Sequence, residues 1–390
     1  MSTRLAGFAV CVLCIVAIAC ARVSSIQPDA SSAGEAIVRA RAEKRLVADY
    51  GYWSKSQSPA YSADQIPYHR LTHIIHAGIA PGASGDGSLE IPSGFLERAL
   101  IQKAHDAGVH VMVLVGGGPE LFRDLASRET SRTRFAHNLR LFADEHGYDG
   151  IDVDWEYPTG AHDGDDFVLL MRALRDAMPA PRYTLSIDVP SDPRQVAGAY
   201  EFAGLLPSLD FVNDMTYDMA GPWTQSAQIN SAIFADPRNP QPNGSVEQSL
   251  DLFTQRYAIP PAMINVGNPF YGYHYTTVED LYDRCSCHGQ AEYVNYGTYI
   301  KQRVDAMGWR RHLDVPSGNP YLAFGNDRQP GFITYDDPVS TYRRVSYSLW
   351  SRNVGGVFMW SLDEDYDGHS QDLFDAMFAA YSQPQLDVHP

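Results

Sequence analysis

Asp149, Asp152, Asp154 and Glu156 lie in one short segment, Asp149-Gly150-Ile151-Asp152-Val153-Asp154-Trp155-Glu156, and the last three recur at every second position. Successive side chains of a β-strand point to opposite faces, so Asp152, Asp154 and Glu156 share one face, and Ile151, Val153 and Trp155 fill the other. Asp149 falls on the opposite parity or in the turn that opens the strand. A merely solvated strand face fits this pattern badly, because the helical patterning around the segment calls for a strand covered on both sides. Three like charges in a dry place cost several kcal/mol unless they share protons or hydrogen bonds. Crowding also raises the pKa of at least one of them, which a general acid working at neutral pH requires. The segment reads as an active-site strand built for acid–base chemistry.

Extended to Tyr157-Pro158, the segment resembles the Asp-x-x-Asp-x-Asp-x-Glu signature of glycoside hydrolase family 18, the chitinase family, with all four acidic positions filled. The resemblance implies that this strand is the fourth of a (β/α)8 barrel. Reading along the chain, short β-branched or apolar runs alternate with helical patterns, as in a parallel sheet wrapped by helices. Eight strand candidates emerge, at 47–53, 73–79, 110–115, 150–156, 183–189, 210–217, 263–267 and 356–360. Phe135, Leu139 and Phe142 recur at helical spacing before the acidic strand, and Phe167, Leu170, Met171 and Leu174 after it. A further helix is expected over 246–257, with Leu250 and Phe253 inward. In such barrels the chemistry sits at the C-terminal ends of the strands, where Glu156 lies. The fold expected is therefore α/β, a (β/α)8 TIM barrel over 46–384.

Between Gly272 and Phe332 the chain is too long for a plain loop and is rich in Tyr, Gly and Asp, with a helical stretch near 299–307. Its aromatic content calls for packed structure. It resembles the family's small α+β insertion before the last barrel strand, placed here at 273–332, which forms one wall of a substrate groove.

Other segments carry the resemblance in order. Met215-Thr216-Tyr217-Asp218, followed by Gly221-Pro222-Trp223, is similar to the family's sixth-strand segment, in which the tyrosine hydroxyl holds the substrate's acetamido group. Gly267-Asn268-Pro269-Phe270-Tyr271-Gly272 matches the seventh strand, with Tyr273 where the family often has Arg. Gly356-Val357-Phe358-Met359-Trp360 matches the eighth, whose tryptophan floors the sugar site. At the third strand Leu114-Val115-Gly116-Gly117 stands for Ser-x-Gly-Gly, so a serine that supports the aspartates is absent. Asp214 occupies a position that is more often apolar in the family.

The resemblance implies a retaining, substrate-assisted hydrolysis of β-1,4 bonds between N-acetylglucosamine units, in which the substrate's acetamide replaces a second protein carboxylate. Glu156 would be acid and then base, Asp154 would stabilise the oxazolinium intermediate, Asp152 would share a proton with Asp154, and Tyr217 would fix the acetamide. Asp149 would be structural support. Tyr52, Trp53, Met215, Asp218, Trp223, Tyr271 and Trp360 are the expected substrate-binding residues. Two alternatives stand beside a chitinase: an endo-β-N-acetylglucosaminidase acting on N-glycans, which usually lacks the insertion, and an inactive lectin for chitin oligosaccharides, which typically loses the terminal glutamate.

The chain has 390 residues, 44% hydrophobic and 20% charged, with a net charge of −17. That acidity argues against a nucleic-acid partner and suits a neutral polymer substrate. No cofactor and no metal are expected, and the protein is read as a monomer. Arg4 precedes an apolar run over 5–19 that reads as an export signal occupying 1–21, too short for a membrane span. Ala17-Ile18-Ala19-Cys20 also loosely fits a lipoprotein box, so a secreted protein is expected, with lipid anchoring at Cys20 as the alternative. Residues 22–45 read as a tether or first helix. Cys285 and Cys287, one residue apart beside His288, make a poor tetrahedral cage and are read as a local disulfide.

Overall fold

A computed structural model describes residues 44–241, 244–325 and 330–383. The expected export signal and Cys20, and all but the end of the expected tether, lie outside the described residues. Among those residues, no helix is long and apolar enough to cross a membrane.

Eight parallel strands close into a barrel: β1 (Arg45–Gly51), β2 (His73–Pro81), β3 (His110–Gly117), β4 (Gly150–Trp155), β5 (Thr184–Pro190), β6 (Phe211–Met215), β7 (Ile264–Pro269) and β8 (Gly356–Trp360). Closure comes from β1, which pairs with β2 on one side and β8 on the other. The α/β barrel expected from the sequence is thus present, with strand limits that move by a few residues. β1 starts earlier, because the Arg45 N–H already donates to the Gly355 carbonyl at 2.8 Å. β6 stops at Met215, so Tyr217 stands on the loop that follows it.

Alternate strand positions serve two cores, as the two-residue period requires. Leu46, Ala48, Ile74, Ile151, Val153, Leu185, Ile187, Val212 and Val357 face outward and are fully buried against the helices. The helix Glu129–His146 offers them Phe135, Leu139 and Phe142, and Gly160–Ala177 offers Phe167, Leu170, Met171 and Leu174. The first of these helices ends at Gly147, whose φ of 83° is the left-handed turn that glycine adopts without penalty. The helix after β6 runs Val246–Asp251 and continues with a wider turn over Leu252–Arg256, burying Leu250 and Phe253. Val47, Ile75, Met112, Leu114, Phe211 and Phe358 face inward and pack the lumen.

The insertion lies between β7 and β8. It is a five-stranded antiparallel sheet in the order Ala291–Asn295, Tyr271–Tyr275, Phe332–Thr334, Asn319–Phe324, Trp309–Asp314, with helical turns over Tyr296–Ile300 and Lys301–Val304. Its sheet extends slightly beyond 273–332 at both ends. Cys285 and Cys287 are joined as a disulfide in one of its loops.

Candidate active site

Parity places Asp152 and Asp154 inside the barrel, and Glu156 one residue past the end of β4, at the C-terminal mouth. The Glu156 N–H donates to the Gly117 carbonyl at 3.0 Å, which fixes where its side chain leaves the barrel. Asp152 is fully buried. One of its oxygens accepts a short hydrogen bond from the Ser186 hydroxyl and another, at 3.2 Å, from Asn213 Nδ2. Asp154 has an oxygen, Oδ1, sealed from solvent without a hydrogen-bond partner. Asp149 sits in the turn before β4, where its Oδ2 accepts from the Val111 N–H at 2.8 Å and approaches His105 Nε2 at 2.9 Å. It clamps β4 to β3 and stands away from the mouth.

The electrostatics follow from this crowding. Burial, then the charges of Glu156 and Asp152, hold Asp154 well above the ordinary carboxylate range. Burial pushes Asp152 up to about 6, against the lowering effect of its hydrogen bonds. Loss of water, then the neighbouring Asp218, raises Glu156. The outermost carboxyl therefore keeps its proton to a higher pH than a free glutamic acid does, although it opens onto the groove.

Two cavities meet at Glu156. One, of about 710 Å³, is bordered by Tyr157, Met215, Tyr217, Asp218, Met219 and Trp223. The other, of about 760 Å³, is bordered by Trp53, Pro81, Gly116, Asp154 and Trp360. Together they form a groove across the mouth with Glu156 at its middle. Tyr217 is buried edge-on between Tyr271 and Phe358, with centroids 5.9 and 6.0 Å away, so its ring has one packed position. Trp53 and Trp360 lie 6.3 Å apart on one side, and Trp223, 57% exposed, forms a lip on the other.

Two expected substrate-binding residues stand behind this lining. Tyr52 packs edge-on against Trp53 and Phe95, because β1 ends at Gly51 and turns its ring toward the helices. Tyr271 is buried and reaches the groove only through Asp218, to which its hydroxyl donates. Tyr273, in the place where arginine is frequent, donates to the same carboxyl oxygen. Asp218 has a φ of 57°, a left-handed conformation that carries its side chain back over the mouth. Asp214 points outward, where its Oδ2 accepts from the Ser249 hydroxyl at 2.8 Å, so it belongs to the barrel–helix layer.

Sequence reasoning missed two residues at this site, Asp49 on β1 and Asp188 on β5. Both are buried in the lumen below Glu156. The available signal was the same as for β4: an aspartate at an inward position of an otherwise apolar strand.

The family model for glycosyl hydrolases family 18 matches residues 45–365. A probable endochitinase of Caenorhabditis elegans is 30% identical over 292 residues, covering 70% of this chain and 46% of that protein, so the chain spans about half the length of that relative. Endochitinase 1 of Metarhizium robertsii is 26% identical over 352 residues, covering 82% of this chain and 80% of the relative. Among solved structures, catalytic domain 2 of the Group II chitinase of Ostrinia furnacalis superposes with a TM-score of 0.78 at 22% identity, covering 86% of this chain and 95% of that one. That structure is of a mutant in complex with a penta-N-acetyl chitooligosaccharide. With the family model matched over the whole barrel, the chain belongs to the glycosyl hydrolases of family 18.

Proposed function

We propose that this glycoside hydrolase is a chitinase that cuts β-1,4 bonds between N-acetylglucosamine units with retention, using the substrate's own acetamide as nucleophile. The observation that carries the reading is the position of Glu156. It stands at the centre of an open groove, its pKa is raised, and Asp154 and Asp152 lie beneath it on the same strand face. Ordinary retaining enzymes set their two carboxyls about 5 Å apart across the sugar. Here Asp154 and Asp152 follow one strand downward into the barrel, and Asp218, the other carboxyl at the mouth, is tied up by Tyr271 and Tyr273, which supports a reading in which the substrate's acetamide serves the far side of the anomeric carbon.

In the first step Glu156 protonates the glycosidic oxygen while the acetamide carbonyl attacks the anomeric carbon and the leaving sugar departs. Asp154 accepts a hydrogen bond from the acetamido N–H and balances the positive oxazolinium. Tyr217, locked between Tyr271 and Phe358, donates to the acetamide carbonyl and fixes it for attack, a positioning effect. In the second step Glu156, now a carboxylate, takes a proton from water as it opens the oxazolinium. Trp360 and Trp53 offer apolar faces to one arm of the chain, and Trp223 to the other.

The chitinase-named relatives support the substrate class. The sheet over 271–334, whose first strand holds Asp218 at the mouth, and the presence of Glu156 speak against the N-glycan and lectin alternatives. The apolar run after Arg4 supports action outside the cytoplasm. Incubation of the protein and its Glu156→Gln variant with N-acetylglucosamine hexamer, followed by mass spectrometry, tests the proposal. Shorter oligomers from the wild type alone are expected. Equal turnover by the variant would remove Glu156 from its role, and an uncut hexamer would overturn the activity.

A further inference from the structure

Asp49 and Asp188 lie beneath the catalytic carboxyls and take no part in the steps above. They are 3% and 7% exposed, and each has its Oδ1 sealed from water with no hydrogen-bond partner. Asp152 Oδ2 and Asp154 Oδ1 are in the same condition. Four aspartates in one lumen thus each hold an oxygen that lacks a donor. Asp188 lies within hydrogen-bonding reach of Asp152 and pairs in register with Asn213, whose amide donates to Asp152. Asp49 faces Asp152 and Asp154 from β1.

Arg45, at the opposite end of β1 from Asp49, is the cation nearest this network: it stacks over Phe211 and donates to Asn265 Oδ1, and Asn265 and Asn213 relay the contact to Asp152. None of the influences acting on the four aspartates comes from a cation. The other titratable groups turned toward them are Glu156, Tyr157, Tyr200 and Tyr217; at their level β2, β3 and β8 contribute apolar Ala77, Leu114 and Phe358, while His73 and His110 stack on each other at the starts of β2 and β3, with His73 pushed down to about 3 by burial. Four carboxylates cannot all ionise in such a place. A protonated carboxyl, however, is both donor and acceptor, so protons shared between neighbours satisfy the oxygens that otherwise have no partner.

We propose that Asp188 and Asp49 are positioning residues of the reaction: Asp188 shares a proton with Asp152, and Asp49 stays protonated beside them, so that Asp152 can release Asp154 to the oxazolinium. This rests on the substrate-assisted reading above. It gives Asp188 the supporting part that the absent third-strand serine leaves vacant, since Leu114 has no hydroxyl. Burial holds Asp188 and Asp49 well above the ordinary carboxylate range, in agreement with the geometry.

Asp188→Ala and Asp188→Asn test the proposal, with Asp49→Asn as a second site. Asp188→Ala removes a donor to Asp152, so the acid limb of the kcat profile on N-acetylglucosamine hexamer should move to higher pH by about half a unit or more. Its kcat should fall about tenfold or more, with KM changed by less than about threefold. Asp188→Asn keeps a donor but carries no exchangeable carboxyl proton. Its acid limb should therefore stay nearer the wild type while kcat remains low. Infrared spectra at pH 7 should show protonated-carboxyl absorption in the wild type, weakened in Asp188→Asn and in Asp49→Asn. Wild-type profiles in the Asp188 variants, or the same protonated-carboxyl absorption in all three proteins, would overturn the proposal. If Asp188→Ala does not fold, the Asn variants and the wild-type spectrum decide. A wild type that leaves the hexamer uncut but shows the infrared signature would refute the chitinase reading and the positioning role while leaving the shared protons in place.

Discussion

The hydroxyl of Tyr271 donates to Asp218 Oδ1 at 2.6 Å, and the carboxyl it holds is the one whose charge acts on Glu156. Tyr273 donates to the same oxygen at 2.9 Å. The first strand of the insertion thereby holds the orientation of a group belonging to the barrel mouth, and through it acts on the proton of Glu156.

The pH profile should report that link. Glu156 is raised by burial first and by Asp218 second, so as a general acid it is lost when pH rises through its elevated pKa. In Asp218→Asn the second cause is gone, the pKa of Glu156 falls, and the alkaline limb of kcat/KM should shift to lower pH. An unmoved limb would show that Asp218 exerts no charge on the acid. Tyr271→Phe, which removes one of two donors, should cost about tenfold in kcat/KM, equivalent to about 1.4 kcal/mol.

Glu156→Gln keeps the shape of the side chain and removes its proton. Turnover should fall by about 10²–10⁴-fold, with hexamer affinity measured by calorimetry close to that of the wild type. A large loss of affinity would indicate that Glu156 mainly binds.

The groove has unlike arms, and the aromatic residues should divide accordingly. Trp223→Ala, at the exposed lip, should change the product lengths released from hexamer while leaving the cleavage step intact. Trp360→Ala, with its ring beside Trp53, should raise KM and lower kcat together. Identical product ladders from wild type and Trp223→Ala would assign that ring no place on the sugar chain.

The stability carried by buried acids should decline as pH rises from about 4 toward 8, while buried His73 and His76, pushed down to about 3, act in the opposite sense up to about pH 6.5. Burial pushes Asp214 up to about 8, Glu364 up to about 8 and Asp365 up to about 7. An acid whose folded pKa is raised contributes its full stability below the unfolded value and loses it as pH climbs through the folded one. Asp214→Asn keeps a partner for Ser249 and removes one such ionisation. Its Tm should equal that of the wild type near pH 4 and exceed it by about 2–4 °C at pH 8. A constant difference across the range would disconnect Asp214 from the slope.

Arg344 is fully buried and bonds the Asp336 carboxylate at 2.8 Å, the Ser231 hydroxyl at 2.8 Å and the Thr216 carbonyl at 3.1 Å. It ties the close of the insertion to the residue before Tyr217. Asp336→Ala strands this cation, and the loss should be about 3–5 kcal/mol by urea titration. A loss under about 1 kcal/mol would mean that the remaining acceptors suffice.

The sequence by itself determined the alternation of strands and helices and the line of carboxyls on β4. Both are written in short-range periods: two residues for β4, which puts Asp152, Asp154 and Glu156 on one face, and helical spacing for Phe135, Leu139 and Phe142. Composition also determined that the segment after Gly272 packs, because it is rich in tyrosine; its α+β form was what the family resemblance implied. What lies across the barrel had no such period. Asp49 and Asp188 are 139 positions apart and each is a single aspartate in its own strand; closure of the sheet alone brings them to Asp152. The same holds for Tyr52 and Tyr271, whose types suit sugar stacking but whose rings are turned away by the end of β1 and by the hydrogen bond to Asp218. Strand parity is a property of the backbone, readable from any one segment. Which lumen residues meet, and which tyrosines stand behind others, depends on the register of eight strands at once, and that only the tertiary structure decided.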